Sequence, residues 1–139
     1  MEDSVLFVDD EQNILSALKR LLLDETYELH FASSGEEALA FLETTKVKVI
    51  ISDMRMPGMD GVTFLEKARM LVSDSIRIIL SGQADMISVM NAVNRGGIWR
   101  FISKPWNEDD IKCTIRNALE LHSVHAERER LLVELKEKN

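Results

Sequence analysis

Short apolar runs alternate along the chain with segments in which apolar residues recur at the three- and four-residue spacing of a helix. The apolar runs predict strands at residues 5–8, 27–32, 47–52, 76–81 and 98–102. The segments between them predict helices over the stripe Ile14, Leu18, Leu21 and Leu22, from Ser34 through Leu42, over 61–72, over 85–95, and from Asn107 to about residue 138. This alternation is typical of an α/β fold, because each parallel pair of strands needs a crossover that a helix supplies.

The first, third and fourth predicted strands contain apolar runs without polar alternation, as strands that are buried on both faces do, so we expect helices on both sides of the sheet. Two helix starts carry capping signals. Ser34 and Glu37 have the spacing of a capping box, and Asn107 can accept hydrogen bonds from the first turn of the last helix. Gly96 and Gly97 close the fourth predicted helix.

Composition narrows the class of protein. A chain of 139 residues suits one globular domain, and its net charge of −7 disfavours direct binding to nucleic acid or to an anionic membrane. The chain shows neither a signal peptide pattern nor an apolar stretch of membrane-spanning length. A single cysteine, Cys113, excludes an internal disulfide and fits a reducing cytoplasm, which is the expected location.

Five polar residues follow predicted strands: Asp9 and Asp10 after the first, Asp53 after the third, Ser81 after the fourth and Lys104 after the fifth. Ligands of open parallel sheets bind at the carboxyl ends of the strands, so these side chains are expected to converge. Three crowded carboxylates favour a hard cation such as Mg²⁺. A metal ion beside a lysine predicts a site for phosphoryl transfer.

Each of these residues also has an ordinary interpretation. Asp9 or Asp10 can cap the helix that follows, and Asp53 can belong to the turn before the next Pro-Gly pair. Ser81 can begin a loop, and Lys104 can be a solvated surface charge. The functional interpretation is favoured because all five fall at the same edge of one predicted sheet.

Four motifs make the chain resemble the receiver domains of two-component response regulators over residues 4–120. They are the acidic pair within residues 7–11, the loop at 53–61, Ser81 with Gly82, and Lys104 with Pro105. The resemblance implies a flavodoxin-like, five-stranded parallel sheet of order 2-1-3-4-5 with an extended C-terminal helix. It also implies a signalling protein, not an enzyme that acts on other substrates.

The resemblance assigns a role to each matching residue. Asp53 would accept a phosphoryl group from a sensor histidine kinase, a phosphotransfer protein or a small phosphodonor. Asp10 would ligate Mg²⁺ directly, Asp9 would support the ion, and the backbone carbonyl of Arg55 would be a further ligand. Lys104 would bind a phosphoryl oxygen.

The resemblance also implies a conformational switch. The Ser81 hydroxyl would turn toward the phosphoryl group, and Phe101 would fill the vacated space. The surface of the fourth helix, fifth strand and fifth helix would change and so control dimerisation through this surface or a downstream output domain. The Lys104-Pro105 peptide would be cis. Serine at position 81 replaces the commoner threonine, and Arg55 and Gln83 occupy variable positions at which the lifetime of the phosphoryl group is tuned.

The last predicted helix is longer than a receiver needs, which divides the chain into a receiver at 1–120 and a helical extension at 121–139. Apolar residues follow coiled-coil spacing in this extension, interrupted by one arginine: Leu121, Val124, Arg128, Leu131 and Leu135. The hypotheses are a parallel homodimer, or a connector to an output domain beyond Asn139; the alternative is a frayed, charged helix. His122 and His125 could bind a metal, although two solvated histidines are the simpler interpretation.

The stretch at 97–106, which contains Trp99 and Trp106, resembles receivers that are joined to output modules of the HD-GYP type or to transcription activators. Packing of these aromatic residues at a subunit or domain contact is the alternative.

Two other functions fit less well. A haloacid-dehalogenase-type phosphatase needs a second aspartate two residues after the nucleophile, whereas Asp10 directly follows Asp9. A nucleotide-binding module needs a glycine-rich phosphate loop that the chain lacks.

Overall fold

The computed structural model describes residues 2–85, 88, 90 and 95–138. Within these residues the strands are β1 (Ser4–Val8), β2 (Glu28–Ala32), β3 (Val49–Asp53), β4 (Ile76–Ser81) and β5 (Ile98–Ser103). The helices are α1 (Gln12–Leu21), α2 (Gly35–Thr44), α3 (Gly61–Leu71), a 3₁₀ helix (Gln83–Asp85) and the C-terminal helix (Glu108–Lys138). The predicted strands are confirmed, as are α1, α2, α3 and the C-terminal helix, with ends shifted by one or two residues in most cases; the 3₁₀ helix was not predicted. The predicted helix over 85–95 lies largely outside the described residues.

The strands form one parallel sheet in the order β2-β1-β3-β4-β5, as the resemblance implied. The pairing continues into the polar residues at the strand ends, because Asp53 pairs with Leu80 and Ser81 pairs with Ser103. Asp53 is therefore the last residue of β3 and does not follow it, whereas Ser81 ends β4 at the predicted position. Both are held by the backbone of the sheet.

Helices cover both faces of the sheet, as the unbroken apolar strands predicted. Alternate residues of β1, β3 and β4 enter opposite clusters. On one side, β-strand residues such as Leu6 and Ile50 pack with Phe64 and Leu65 of α3. On the other side, strand residues pack with α1 and with the C-terminal helix: Val5, Phe7, Ile51, Ile78, Leu18 and Ile111.

Capping residues fix two of the predicted helix starts. Ser34 Oγ accepts a hydrogen bond from the Glu37 backbone at 3.0 Å, so Ser34 is the N-cap of α2. The Glu37 carboxylate returns to Ser33, at 2.9 Å from its backbone nitrogen, and not to Ser34 as a standard capping box would have it. Asn107 Oδ1 accepts hydrogen bonds from the Asp109 and Asp110 backbone nitrogens, at 2.9 and 3.2 Å.

The C-terminal helix has 31 residues, which corresponds to a length of about 46 Å. Its first part packs on the sheet through Ile111, Ile115 and Ala118, and His122 is its last buried residue. Residues 123–138 are all exposed, so this half of the helix projects from the domain. Across the described part of the chain, none of the helices combines the length and the apolar character needed to cross a membrane.

Candidate functional site

Adjacent strands bring the predicted acidic residues together at the carboxyl edge of the sheet. Asp9 and Asp10 follow β1, and Asp53 ends the neighbouring β3. One carboxylate oxygen from each of the three residues lies within 4.8 Å of the others. Asp9 and Asp53 are buried, whereas Asp10 is exposed. This group can hold a metal ion, and a set of carboxylate oxygens fits a hard cation such as Mg²⁺.

Lys104 provides the positive charge nearest to these acids. Its Nζ donates to Asp53 Oδ1 at 2.7 Å and lies 3.3 Å from Asp9 Oδ2. Burial alone lowers the pKa of Lys104, but the hydrogen bond and charge of Asp53, together with Asp9, outweigh it and raise this pKa. The lysine is therefore an ion-paired member of the site and not a solvated surface charge. The Lys104-Pro105 peptide is cis, as the resemblance implied.

Asp9 combines the two roles that the sequence left open. Its Oδ1 accepts a hydrogen bond from the Glu11 backbone at 2.9 Å and so orders the chain that enters α1. Its Oδ2 faces Lys104. Only 1% of Asp9 is exposed, so its charge is not solvated and depends on these partners.

Asp53 is the most perturbed carboxyl group at this edge. Burial raises the pKa of Asp53, and the charges of Asp9 and Asp10 raise it further, while Lys104 acts in the opposite direction. The net pKa is higher than that of a solvated aspartate. A lysine alone therefore does not fully compensate the crowded carboxylates, which makes the site favourable for an additional cation.

The loop after β3 holds Asp53 in place through backbone contacts. The Met54 nitrogen donates to Leu80 O at 3.0 Å, and the Gly61 nitrogen donates to Met54 O at 2.9 Å. A Cβ atom on Gly61 would lie 2.1 Å from the Asp53 carbonyl oxygen, so only glycine fits at this approach. Sequence reasoning assigned no role to Gly61, although its place at the end of the 53–61 motif was a signal.

Arg55 joins two loops beside the site. Its side chain forms an ion pair with Asp85, which lies on the 3₁₀ helix after β4. The resemblance gave Arg55 a backbone carbonyl ligand and a position that tunes the phosphoryl lifetime, and it did not foresee this pair. The two residues are 30 positions apart, and no local pattern relates them.

Ser81 lies at the same edge, yet its hydroxyl is unused. The residue is 1% exposed, and its Oγ has no hydrogen-bond partner among the described residues. Leaving a buried hydroxyl without a partner costs about 1–3 kcal/mol. Phe101, the other predicted switch residue, lies on β5 with 40% of its surface exposed.

The two histidines of the C-terminal helix differ in environment. The interpretation of both as solvated was wrong for His122, which is 5% exposed and has its Nε2 at 3.5 Å from Asp74 Oδ2. His125 is exposed. Among the residues placed by the structure, the potential metal-binding group of three is Asp9, Asp10 and Asp53, and it includes neither histidine. Trp99 and Trp106 are partly buried and pack against the apolar cluster on the side of α1 and the C-terminal helix.

Comparison with known proteins gives consistent matches. The family described as Response regulator receiver domain matches residues 5–116. The chain is 40% identical to the hydrogenase transcriptional regulatory protein HoxA of Cupriavidus necator over 133 residues, covering 96% of this chain and 27% of that protein. The chain thus spans about a quarter of the length of this relative.

Solved structures agree in fold. A crystal structure described as the signal receiver domain of an HD domain-containing protein from Pseudomonas fluorescens has a TM-score of 0.84 and 37% identity, with 93% of each chain covered. A structure described as adenylate cyclase from Rhodopirellula baltica has a TM-score of 0.89 and 37% identity. It covers 95% of this chain and 98% of that chain.

Proposed function

Because the chain belongs to the response regulator receiver domain family, we propose that Asp53 accepts a phosphoryl group in a Mg²⁺-dependent reaction. The observation that carries this proposal is the buried Asp53 carboxylate, which lies within 4.8 Å of two other acids and 2.7 Å from Lys104. A sensor histidine kinase or a phosphotransfer protein is the proposed donor. The role is signalling, and the chemistry is confined to the protein's own phosphorylation and dephosphorylation.

The residues that would hold Mg²⁺ are Asp10 and Asp53, with Asp9 in support and the backbone carbonyl of Arg55 as a further ligand. When bound, the ion supplies positive charge that offsets the acids and stabilises the oxygens of the transferred phosphoryl group. Oxygen ligands that are already ordered by the sheet reduce the cost of assembling such a site. Burial and the repulsion of Asp9 and Asp10 raise the pKa of Asp53, which is consistent with a cation bound at this arrangement.

The transfer itself would be an in-line displacement by the Asp53 carboxylate. Asp53 Oδ1 accepts the hydrogen bond of Lys104, so Oδ2 is the oxygen available for attack. The new bond joins this oxygen to phosphorus as the bond from phosphorus to the donor nitrogen breaks, and the electron pair leaves with the imidazole. An acyl phosphate on Asp53 results. Lys104 would then stabilise a phosphoryl oxygen with a charge-assisted hydrogen bond.

Phosphorylation would change the protein through Ser81. Its hydroxyl lacks a partner among the described residues, and a phosphoryl group on Asp53 would offer acceptor oxygens at the same edge of the sheet. The modified state would favour the position of Ser81 that makes this bond, which is a shift of population between two states. Phe101 would move with it, and the change would reach the surface formed by β5, the C-terminal helix and the segment between β4 and β5.

The projecting half of the C-terminal helix is the proposed contact for a second copy of the chain. Its exposed apolar residues are Val124, Leu131, Leu132, Val133 and Leu135. An isolated helix gains little from such residues, whereas a parallel pair of helices buries them. We also propose that the helix connects to an output domain beyond Asn139, as the regulatory role of the longer relative suggests. Leu131→Asp would abolish a dimer seen by sedimentation if this contact is correct.

Incubation with Mg²⁺ and acetyl phosphate tests the proposed function, with intact-mass spectrometry as the measurement. The wild-type chain is expected to gain one phosphoryl group, and the gain should require Mg²⁺. Asp53→Asn should gain none. Asp24→Asn is the matched control, because Asp24 is an exposed acid outside the site, and it should react like the wild type. Phosphorylation of Asp53→Asn, or catalytic turnover of added phosphate esters, would refute the proposal.

A further inference from the structure

Arg77 is a buried cation far from the acidic site. It is the second residue of β4 and is 8% exposed. Ser81, at the other end of β4, lies about 13 Å away along the strand. The Arg77 side chain donates through Nε to Gly96 O at 2.9 Å, and through Nη1 to Ser75 O and Ser75 Oγ, both at 2.9 Å.

These partners are neutral and leave part of the guanidinium group unused. No hydrogen bond from Nη2 reaches any residue that the structure describes. Nor does a described carboxylate lie within ion-pair distance of Arg77. A buried charge normally has a counter-charge in direct contact, whereas the acid whose charge acts on Arg77, Asp74, forms no ion pair with it.

A second guanidinium group lies beside the first. A Cβ atom on Gly97 would be 2.9 Å from Arg77 Nη2 and 3.1 Å from Arg69 Nη1, so both groups border one backbone position that glycine leaves clear. Burial lowers the pKa of Arg77 and the charge of Arg69 lowers it further, while the charge of Asp74 acts in the opposite direction. Two cations held this closely are stabilised by an anion between them, just as crowded carboxylates are stabilised by a metal ion.

Gly97 lines a cleft of about 730 Å³ between the amino-terminal ends of β4 and β5 and the C-terminal helix, and Arg69 lies beside this glycine. Arg77 lines this cleft, and the helix adds two further basic residues, His125 and Arg128. Asp74 and Glu129 also border it, but the Asp74 carboxylate lies near His122. Basic groups thus come from the sheet, from α3 and from the helix.

We propose that this cleft binds a divalent oxyanion of the phosphate class, held by Arg77 and Arg69 with Arg128 and His125 at its rim. Guanidinium groups match the geometry of such oxygens and bind them with paired hydrogen bonds. The charge of Arg77, which its hydrogen bonds hold in place, together with that of the neighbouring Arg69 favours a dianion over a monovalent carboxylate. Because the cleft is bordered by both β4 and the projecting half of the C-terminal helix, the bound anion would link the helix to the domain.

Phosphate titration of the full chain, followed by NMR at constant ionic strength, tests this site. Mildly alkaline buffer keeps phosphate dianionic, and EDTA keeps metal from the acidic site. The Gly97 amide and Trp99 indole signals should shift and reach saturation, because both residues border the cleft. Arg69→Gln should weaken the affinity by about fivefold or more, through loss of a charge-assisted contact.

Lys67→Gln is the matched control, since Lys67 is an exposed cation on the same helix and its loss changes the net charge equally. Its affinity should remain within about twofold of the wild type. Arg128→Gln provides a second test that leaves the buried Arg77 intact, and it should also weaken the affinity for phosphate. Absence of saturation at Gly97 and Trp99, shifts confined to the surroundings of Lys104, or equal weakening in Lys67→Gln would each overturn the proposal. Equal affinity for acetate would overturn its assignment to phosphate.

Discussion

Replacing Lys104 by methionine tests the electrostatic account of the site. The change keeps the length of the side chain but leaves Asp53 and Asp9 without their cation, at 7% and 1% exposure. Removing one partner of a buried ion pair costs about 3–5 kcal/mol. The Lys104 side chain is 23% exposed, so solvent screening reduces this loss. We therefore expect the free energy of unfolding to fall by about 2–3 kcal/mol in EDTA.

Urea unfolding with and without Mg²⁺ measures the effect. Binding of Mg²⁺ to the native state should restore part of the loss, because the ion offsets the same carboxylates. A Mg²⁺ concentration of ten times its Kd raises the free energy of unfolding by about 1.4 kcal/mol. Lys67→Met is the control, since this lysine is exposed, and it should change stability by less than about 0.5 kcal/mol. The reasoning is refuted if Lys104→Met and the control lose equal stability, or if Mg²⁺ has no effect on either.

Three further predictions follow from other groups. Burial and neighbouring acids raise the pKa of Asp53, so the wild type should lose stability as pH rises through this pKa and the carboxyl group ionises. Asp53→Asn removes this ionisation and should be more stable than the wild type at neutral pH in EDTA. Gly61→Ala should lose phosphorylation and about 1–3 kcal/mol of stability, whereas Gly82→Ala, whose Cβ meets nothing within 4 Å, should lose neither. Burial lowers the pKa of His122, although Asp74 opposes this, so stability should decline as pH falls below about 6.5. His122→Phe should reduce that decline in acid denaturation, and the same change at the exposed His125 should not.

The fold could be predicted because burial on both faces leaves strands as continuous apolar runs. The exact end of β3 could not, since Asp53 is polar and yet continues the backbone pairing with β4. Hydrophobicity marks where a strand is buried and not where its ladder stops. The same limit explains the one- or two-residue shifts elsewhere.

The convergence of the acids and Lys104 also followed from sequence, because parallel topology fixes which strand ends meet. Contacts between distant loops could not be predicted from the sequence, and the ion pair of Arg55 with Asp85 is an example. The burial of His122 was missed because a polar residue type obscured its position, four residues after the buried Ala118 on the same helical face. The burial of Arg77 was also missed, because this charged residue lies within an otherwise apolar strand.

The unbroken backbone of the C-terminal helix has a mechanical consequence. Neither proline nor glycine occurs from Asn107 to Lys138, so the packed and projecting parts form a single stiff rod without a hinge. The sixteen exposed residues 123–138 act as a lever arm of about 24 Å. A tilt of about 5° at its base, where His122 is the last anchored side chain, displaces the tip by roughly 2 Å. Small rearrangements in the domain are thereby magnified with distance along the rod.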